Sequence, residues 1–254
     1  MILQPVVIVG MGEIGGVLAR GLLRLGHPVY PVTRATPLVD AAREVSDPLA
    51  VIIAVAEADL QPVLADLPKA WRDRVILLQN ELLPRDWEHH HLDPTVISIW
   101  FEKKPGQDAK VLLPSPVHGA QAELIIAALG AVNIPAREVK GREQMLFELV
   151  RKNVYILTTN IAGLECGGTV RELWSRHRKL AQAVADDVMD IQDWLTGTEN
   201  DRGQLLAGME EAIGGDPEHK CMGRSAPARL ERALALADTA DLTVPKLREI
   251  YSQA

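Results

Sequence analysis

Pro5-Val6-Val7-Ile8-Val9-Gly10-Met11-Gly12-Glu13-Ile14-Gly15 is the stretch that decides the fold. An apolar run of strand length leads into Gly-x-Gly-x-x-Gly. The glycines in turn lead into Val17-Leu18-Ala19-Arg20-Gly21-Leu22-Leu23, an amphipathic segment of helix length. Strand, tight turn and helix in that order is the context in which this glycine spacing has a mechanism. Gly10 permits the turn, Gly12 lets backbone approach a pyrophosphate, and Gly15 lets the helix pack close against the strand. The N–H groups of the first helical turn have no partner within the helix and face the anion. Gly10, Met11, Gly12, Glu13, Ile14 and Gly15 are therefore the candidate phosphate loop of a dinucleotide site. The competing reading is a glycine-rich turn that binds nothing, and the flanking strand and helix favour the site.

The second strand narrows the cofactor. An NAD site carries an Asp or Glu about 20 residues after the motif, bonded to the ribose 2′-hydroxyl. Here His27-Pro28-Val29-Tyr30-Pro31-Val32 ends in Thr33-Arg34, with no carboxylate at that place. The guanidinium of Arg34 is a planar, permanently charged fork suited to a 2′-phosphate, and Thr33 adds a hydroxyl. The spacing favours NADP over NAD.

Outside the motif, the chain reads as an ordinary globular protein. Its 254 residues are 47% hydrophobic and 24% charged, enough to bury a sizeable core. The net charge of −7 disfavours a nucleic-acid partner, because phosphate backbones call for a basic stripe. No apolar stretch has the length of a membrane span, and no signal peptide precedes the first strand. Cys166 and Cys221 make no disulfide framework, so a cytoplasmic, reduced setting is expected. His89-His90-His91 reads as a solvated loop, since consecutive histidines do not converge on one ion; no metal is expected. Cys221 with His219 resembles a fragment of a nucleophile pair that lacks its third group.

Strand-length and helix-length segments alternate through residue ~138, as in βαβ units on a parallel sheet. The spacing predicts strands at 28–33, 50–55 and 74–79 and helices near 38–45 and 57–70. Strands at 95–101 and 110–113 are expected to form a hairpin on the sheet, followed by a helix over 117–129 and a last strand at 132–138. Lys140-Gly141 is read as the hinge. Beyond it the pattern is helical, at 142–164, 170–195, 202–213, 225–238 and 245–252. The fold class is α/β: an amino-terminal Rossmann domain over 1–139, then an all-helical carboxy-terminal domain over 140–254.

Four stretches in this order resemble the ketopantoate reductase family. They are the glycine motif, the strand ending in Thr33-Arg34, the strand ending Leu77-Leu78-Gln79-Asn80, and Lys152-Asn153-Val154-Tyr155-Ile156-Leu157-Thr158-Thr159-Asn160. The resemblance implies reduction of a 2-oxo acid by NADPH, with a lysine that protonates the carbonyl oxygen. Carried over by position, Lys152 matches the catalytic lysine. Asn80 matches the asparagine near nicotinamide and substrate, and Asn160 the second of two asparagines on the lysine's helix. A small-molecule substrate and a homodimer are the partners it implies. The bland reading of Lys152 is a surface salt bridge to Glu148, four residues earlier.

This sequence also departs from the family pattern. The first helix asparagine is Ile156, the glycine that usually follows Gln-Asn is Glu81, and the lysine after the third strand is absent from Ala54-Val55-Ala56-Glu57. Aligned on Val244-Pro245, the late substrate-binding glutamate falls near Ser225, with Glu218 and Glu231 the nearest carboxylates. Two other readings stand beside the reductase. One is a non-catalytic NADP(H)-binding sensor that has lost substrate-binding residues. The other is an imine or opine reductase in which the lysine is incidental.

Overall fold

The computed structural model describes residues 3–253, and the chain forms two compact units that divide between Glu148 and Leu149. The first unit begins with β1 (Val6–Val9), α1 (Glu13–Arg24), β2 (Val29–Val32), α2 (Leu38–Glu44) and β3 (Ala50–Ile53). There follow α3 (Leu60–Ala65), β4 (Val75–Leu77), α4 (Arg85–Glu88), β5 (Thr95–Ile97), β6 (Phe101–Glu102) and β7 (Lys110–Val111). The unit closes with β8 (Ser115–His118), α5 (Ala122–Gly130), β9 (Ala136–Glu138) and the start of α6 (Arg142–Cys166).

Seven strands form one sheet in the order β2-β1-β3-β4-β5-β8-β9, parallel except for the β5–β8 pair. Val6, Ile8, Ala50, Ile52, Ile76 and Ile97 pack on one face with residues of α1 and α5. Val7, Val51, Ile53 and Leu77 point the other way and are equally buried. A sheet covered on both faces explains why these strands read as unbroken apolar runs rather than alternating ones. Gly21 is where α1 meets α5: a Cβ there would lie 2.0 Å from the Ala128 carbonyl oxygen.

Several boundaries differ from the expectation. The segment 57–70 is a short 3₁₀ turn, Glu57–Asp59, followed by α3, which ends before Pro68. The run 95–101 is not one strand. Thr95–Ile97 joins the sheet, while β6 leaves it to pair with β7 as a separate two-stranded ribbon, so the hairpin is not on the sheet. The expected helix 117–129 begins only at Ala122, because Ser115–His118 is a strand. Pro114 and Pro116 disguise it. Yet Pro116 needs only its carbonyl here, which accepts from the Ser98 N–H at 3.0 Å. Pro31 is tolerated for a related reason, since β2 is an edge strand.

The second unit continues α6 and adds α7 (Val170–Arg176), α8 (Arg178–Thr196), α9 (Arg202–Gly215), α10 (Ala226–Thr239) and α11 (Pro245–Gln253). The expected helix 170–195 is broken at His177, where φ −119° and ψ 32° leave the helical region. Thr169 starts α7 through a capping box with Glu172, and Asp201 starts α9 by accepting from the Gln204 N–H at 2.9 Å. Gly197 ends α8 in the left-handed conformation. The helix α8 buries Ala181, Val184, Ala185, Val188 and Met189 along one side. Among the described residues, no helix is long and apolar enough to cross a membrane.

Candidate functional site

A cavity of about 700 Å³ opens at the carboxyl ends of β1, β2 and β3, lined by Gly10, Met11, Gly12, Thr33 and Arg34. Its remaining walls come from the start of α2 (Pro37, Leu38), the loop after β3 (Val55) and α3 with its flanking residues (Asp59, Pro62, Val63, Asp66). The glycines behave as their spacing implies. Gly10 has φ +97°, and a Cβ on it would lie 2.5 Å from the Ala54 carbonyl oxygen. A Cβ on Gly15 would lie 2.2 Å from the Gly10 carbonyl oxygen, so this contact holds α1 against the turn. Gly12 is different, because a Cβ there would meet nothing within 4 Å.

Gly12 is also the N-cap of α1, and no side chain caps that helix end. Glu13, Ile14 and Gly15 form the first turn. Ile14 packs into the core, leaving its backbone N–H as the part that can serve a ligand. Glu13 accepts from Lys103 Nζ at 2.9 Å, which the sequence did not signal because Lys103 lies 90 residues away. A glycine turn, an uncapped helix start and a cavity of this size fit the pyrophosphate and adenosine portion of a dinucleotide.

Arg34 extends from the end of β2 with its side chain 93% exposed and pairs with Asp59 at 3.0 Å. Sequence reasoning missed Asp59 and Asp66, which bring two carboxylates to the cavity beside one guanidinium. Thr33 Oγ1 accepts from the Ala35 N–H at 3.4 Å, tightening the turn after β2.

After β4, Gln79 is buried and donates to the carbonyls of Ile53 (2.7 Å) and Val55 (3.2 Å). It ties the end of β4 to the loop that walls the cavity. Asn80 follows it and donates to Glu57 Oε1 at 2.9 Å. Glu57 ends the stretch Ala54-Val55-Ala56-Glu57, from which the lysine implied by the resemblance is absent. Glu81, in the place of the expected glycine, holds φ +60°, a left-handed conformation that costs a residue with a Cβ roughly 1–2 kcal/mol.

On α6, Lys152 is 5% exposed, so it is not a surface residue. Glu148 is equally buried and receives the Arg137 guanidinium, so neither residue of the alternative salt bridge lies at the surface. Ile156 and Asn160, one and two turns beyond Lys152, are half-buried. Asn160 Oδ1 accepts from Arg229 Nη1 at 3.0 Å, and the same nitrogen donates to Ser225 Oγ at 2.9 Å. Arg229 was not singled out by the sequence. Of the carboxylates near Ser225 in sequence, Glu218 pairs with Arg171 at 2.8 Å.

The remaining candidates take structural roles. Cys221 is fully buried, and burial pushes its thiol up to about 12, so it makes a poor nucleophile at neutral pH. His219 Nδ1 faces Asp216 Oδ2 at 3.5 Å rather than completing a triad with the cysteine. His89 bonds the Arg85 carbonyl and His90 the Gln61 side chain, two divergent directions.

No family model matches the sequence, and no curated protein matches it. Solved structures do match its fold. One is 2-dehydropantoate 2-reductase from Methylococcus capsulatus: TM-score 0.68, 13% identity, covering 98% of this chain and 95% of that one. A dimeric ketopantoate reductase from Staphylococcus aureus gives TM-score 0.63, 19% identity, and coverage of 98% and 96%. A D-mandelate dehydrogenase in complex with NADH gives TM-score 0.65, 14% identity, and coverage of 97% and 96%. Taken with the glycine turn, the seven-stranded sheet and the helices that follow it, these matches show that the chain has the ketopantoate reductase fold, an amino-terminal Rossmann unit followed by a helical one.

Proposed function

We propose that this chain is a reductase of a small 2-oxo acid, a divergent relative of the ketopantoate reductases, with NADPH as its cofactor. The observation that carries the reading is the cavity over Gly10, Met11 and Gly12, where a Cβ on Gly12 would meet nothing within 4 Å and the backbone lies open to a pyrophosphate. The structural neighbours named for ketopantoate reduction, and the mandelate dehydrogenase holding NADH, support a nicotinamide dinucleotide there. Bound in this place, the cofactor supplies the hydride.

The chain's own groups do the rest. The first-turn N–H groups of α1 and the turn at Met11-Gly12 bind the pyrophosphate, while Thr33 and Arg34 take the ribose 2′-phosphate. Lys152 is the proton donor to the alkoxide that develops at the carbonyl oxygen; an ammonium both neutralises that charge and delivers the proton. Asn80 and Asn160 orient the substrate by amide hydrogen bonds. The protein works in the cytoplasm as a homodimer on a small molecule, without nucleic acid or membrane as partner.

The test is oxidation of NADPH across a panel of 2-oxo acids, ketopantoate included, by the wild type and Lys152→Ala. General acid catalysis contributes about 10²- to 10⁴-fold, so turnover should fall by that factor while NADPH affinity stays within about twofold. A Lys152→Ala variant as active as the wild type removes the lysine from the chemistry. NADPH binding with no acid reduced would favour the sensor, in keeping with the apolar Ile156 and the absent late carboxylate.

A further inference from the structure

Arg229 lies on α10, is 9% exposed, and donates from Nη1 to both Asn160 Oδ1 and Ser225 Oγ. A guanidinium has five N–H donors and no acceptor. The side-chain atom of Asn160 that faces it must therefore be the oxygen, and the Gly223 N–H, 3.5 Å from that same oxygen, imposes the same choice. The amide is planar, so Nδ2 is turned away from Arg229. No hydrogen bond among the described residues uses that NH₂ group. Ser225 is fixed in the same sense. Its oxygen accepts from Arg229, which leaves the O–H as a donor, and that hydroxyl does not cap α10.

A half-buried amide and an exposed hydroxyl beside the positive start of a 14-residue helix thus present donors. A group made only of acceptors, a carboxylate, suits that set. We propose that Arg229 is a positioning residue: it locks Asn160 and Ser225 as donors, and these two take the carboxylate of the substrate. The inference rests on the reading of Asn160 as a substrate ligand. Without the guanidinium the Asn160 amide keeps, among the described residues, only the long 3.5 Å bond from the Gly223 N–H, too weak to stop it turning over and offering its oxygen, which repels a carboxylate.

Two measurements test this on the full chain. In steady-state reduction of the best acid from the panel, Arg229→Met should raise KM about tenfold or more, because hydrogen bonds to a charged group are lost. Its kcat should fall less than KM rises, and its NADPH affinity should be unchanged. Arg229→Lys, still a donor without an acceptor, should recover most of the loss. Equal KM values in wild type and Arg229→Met would overturn the proposal. So would a Lys variant as impaired as Met, because a packing role depends on shape rather than on donation.

The second measurement needs no turnover. With ¹⁵N-labelled asparagine, titration with 2-oxobutyrate should shift the Asn160 Nδ2 resonances in the wild type and Arg229→Lys but not in Arg229→Met. Unmoved wild-type resonances would overturn the inference. If the wild type shifts yet reduces no acid, the carboxylate site stands and the reductase reading falls.

Discussion

At the scale of the residue, the cofactor preference comes down to a competition for Arg34. The guanidinium that would hold a 2′-phosphate is paired with Asp59 at 3.0 Å, and Asp66 adds a second carboxylate to the same cavity. Exposed ion pairs contribute only about 0–1 kcal/mol, so on the proposed reading Asp59 would weaken a phosphate site at Arg34 without closing it. We expect NADPH to bind at least about tenfold tighter than NADH, and Arg34→Ala to erase most of that difference, since a charge-assisted bond is worth about 1.5–3 kcal/mol. Asp59→Asn should tighten NADPH by up to about fivefold and leave NADH unchanged. Titration of both nucleotides against the three proteins checks this; equal affinities in the wild type would contradict it. Arg34 was legible in the sequence because it follows the second strand at the motif's own spacing. Asp59, Lys103 and Arg229 were not, because each reaches its partner across the fold and no local pattern marks that approach.

At the scale of the element, helix starts decide where the chain turns, and one is held from far away. Asp187, buried on α8, accepts from the backbone N–H groups of Lys246 (2.7 Å) and Leu247 (2.9 Å) at the start of α11. Burial raises its pKa above the ordinary 3.8, against the lowering pull of those two bonds. The folded state therefore binds this proton more tightly than the unfolded chain does. The stability gained by protonation is fully present below the unfolded value and is lost as pH rises through the folded one. An amide keeps an acceptor without that titration. Asp187→Asn should thus melt no lower than the wild type at pH 7.5, while Asp187→Ala, which orphans two donors, should lose about 1–3 kcal/mol. Thermal melts across pH 4–8 check this, and an Asn variant as damaged as Ala would contradict it. Elements were legible where periodicity was unbroken, as in the buried strand Ala50–Ile53 and the long helix Arg142–Cys166. They were hidden where a neighbour overrides the local signal: Pro116 sits in a strand because only its carbonyl is needed there, and the helical pattern of 170–195 runs through the break at His177.

At the scale of the whole molecule, eleven residues near the amino terminus settle the architecture, because a strand, a glycine turn and a close-packed helix fit together in few ways. The turn's geometry separates two glycines that the motif treats alike. Gly10 needs its freedom for folding, with a positive φ and the Ala54 carbonyl in its way, whereas a Cβ on Gly12 would meet nothing within 4 Å. The substrate half was less legible, since Ile156, Glu81 and Ser225 break the pattern that would have carried it over. The central claim is that a nicotinamide dinucleotide lies against Gly12, and titration of NADPH into the wild type and Gly12→Val tests it most directly. The account predicts saturable binding to the wild type, and for Gly12→Val an unchanged circular dichroism spectrum with binding abolished. A Gly12→Val protein that binds NADPH as the wild type does, or a folded wild type that binds no dinucleotide, would contradict it.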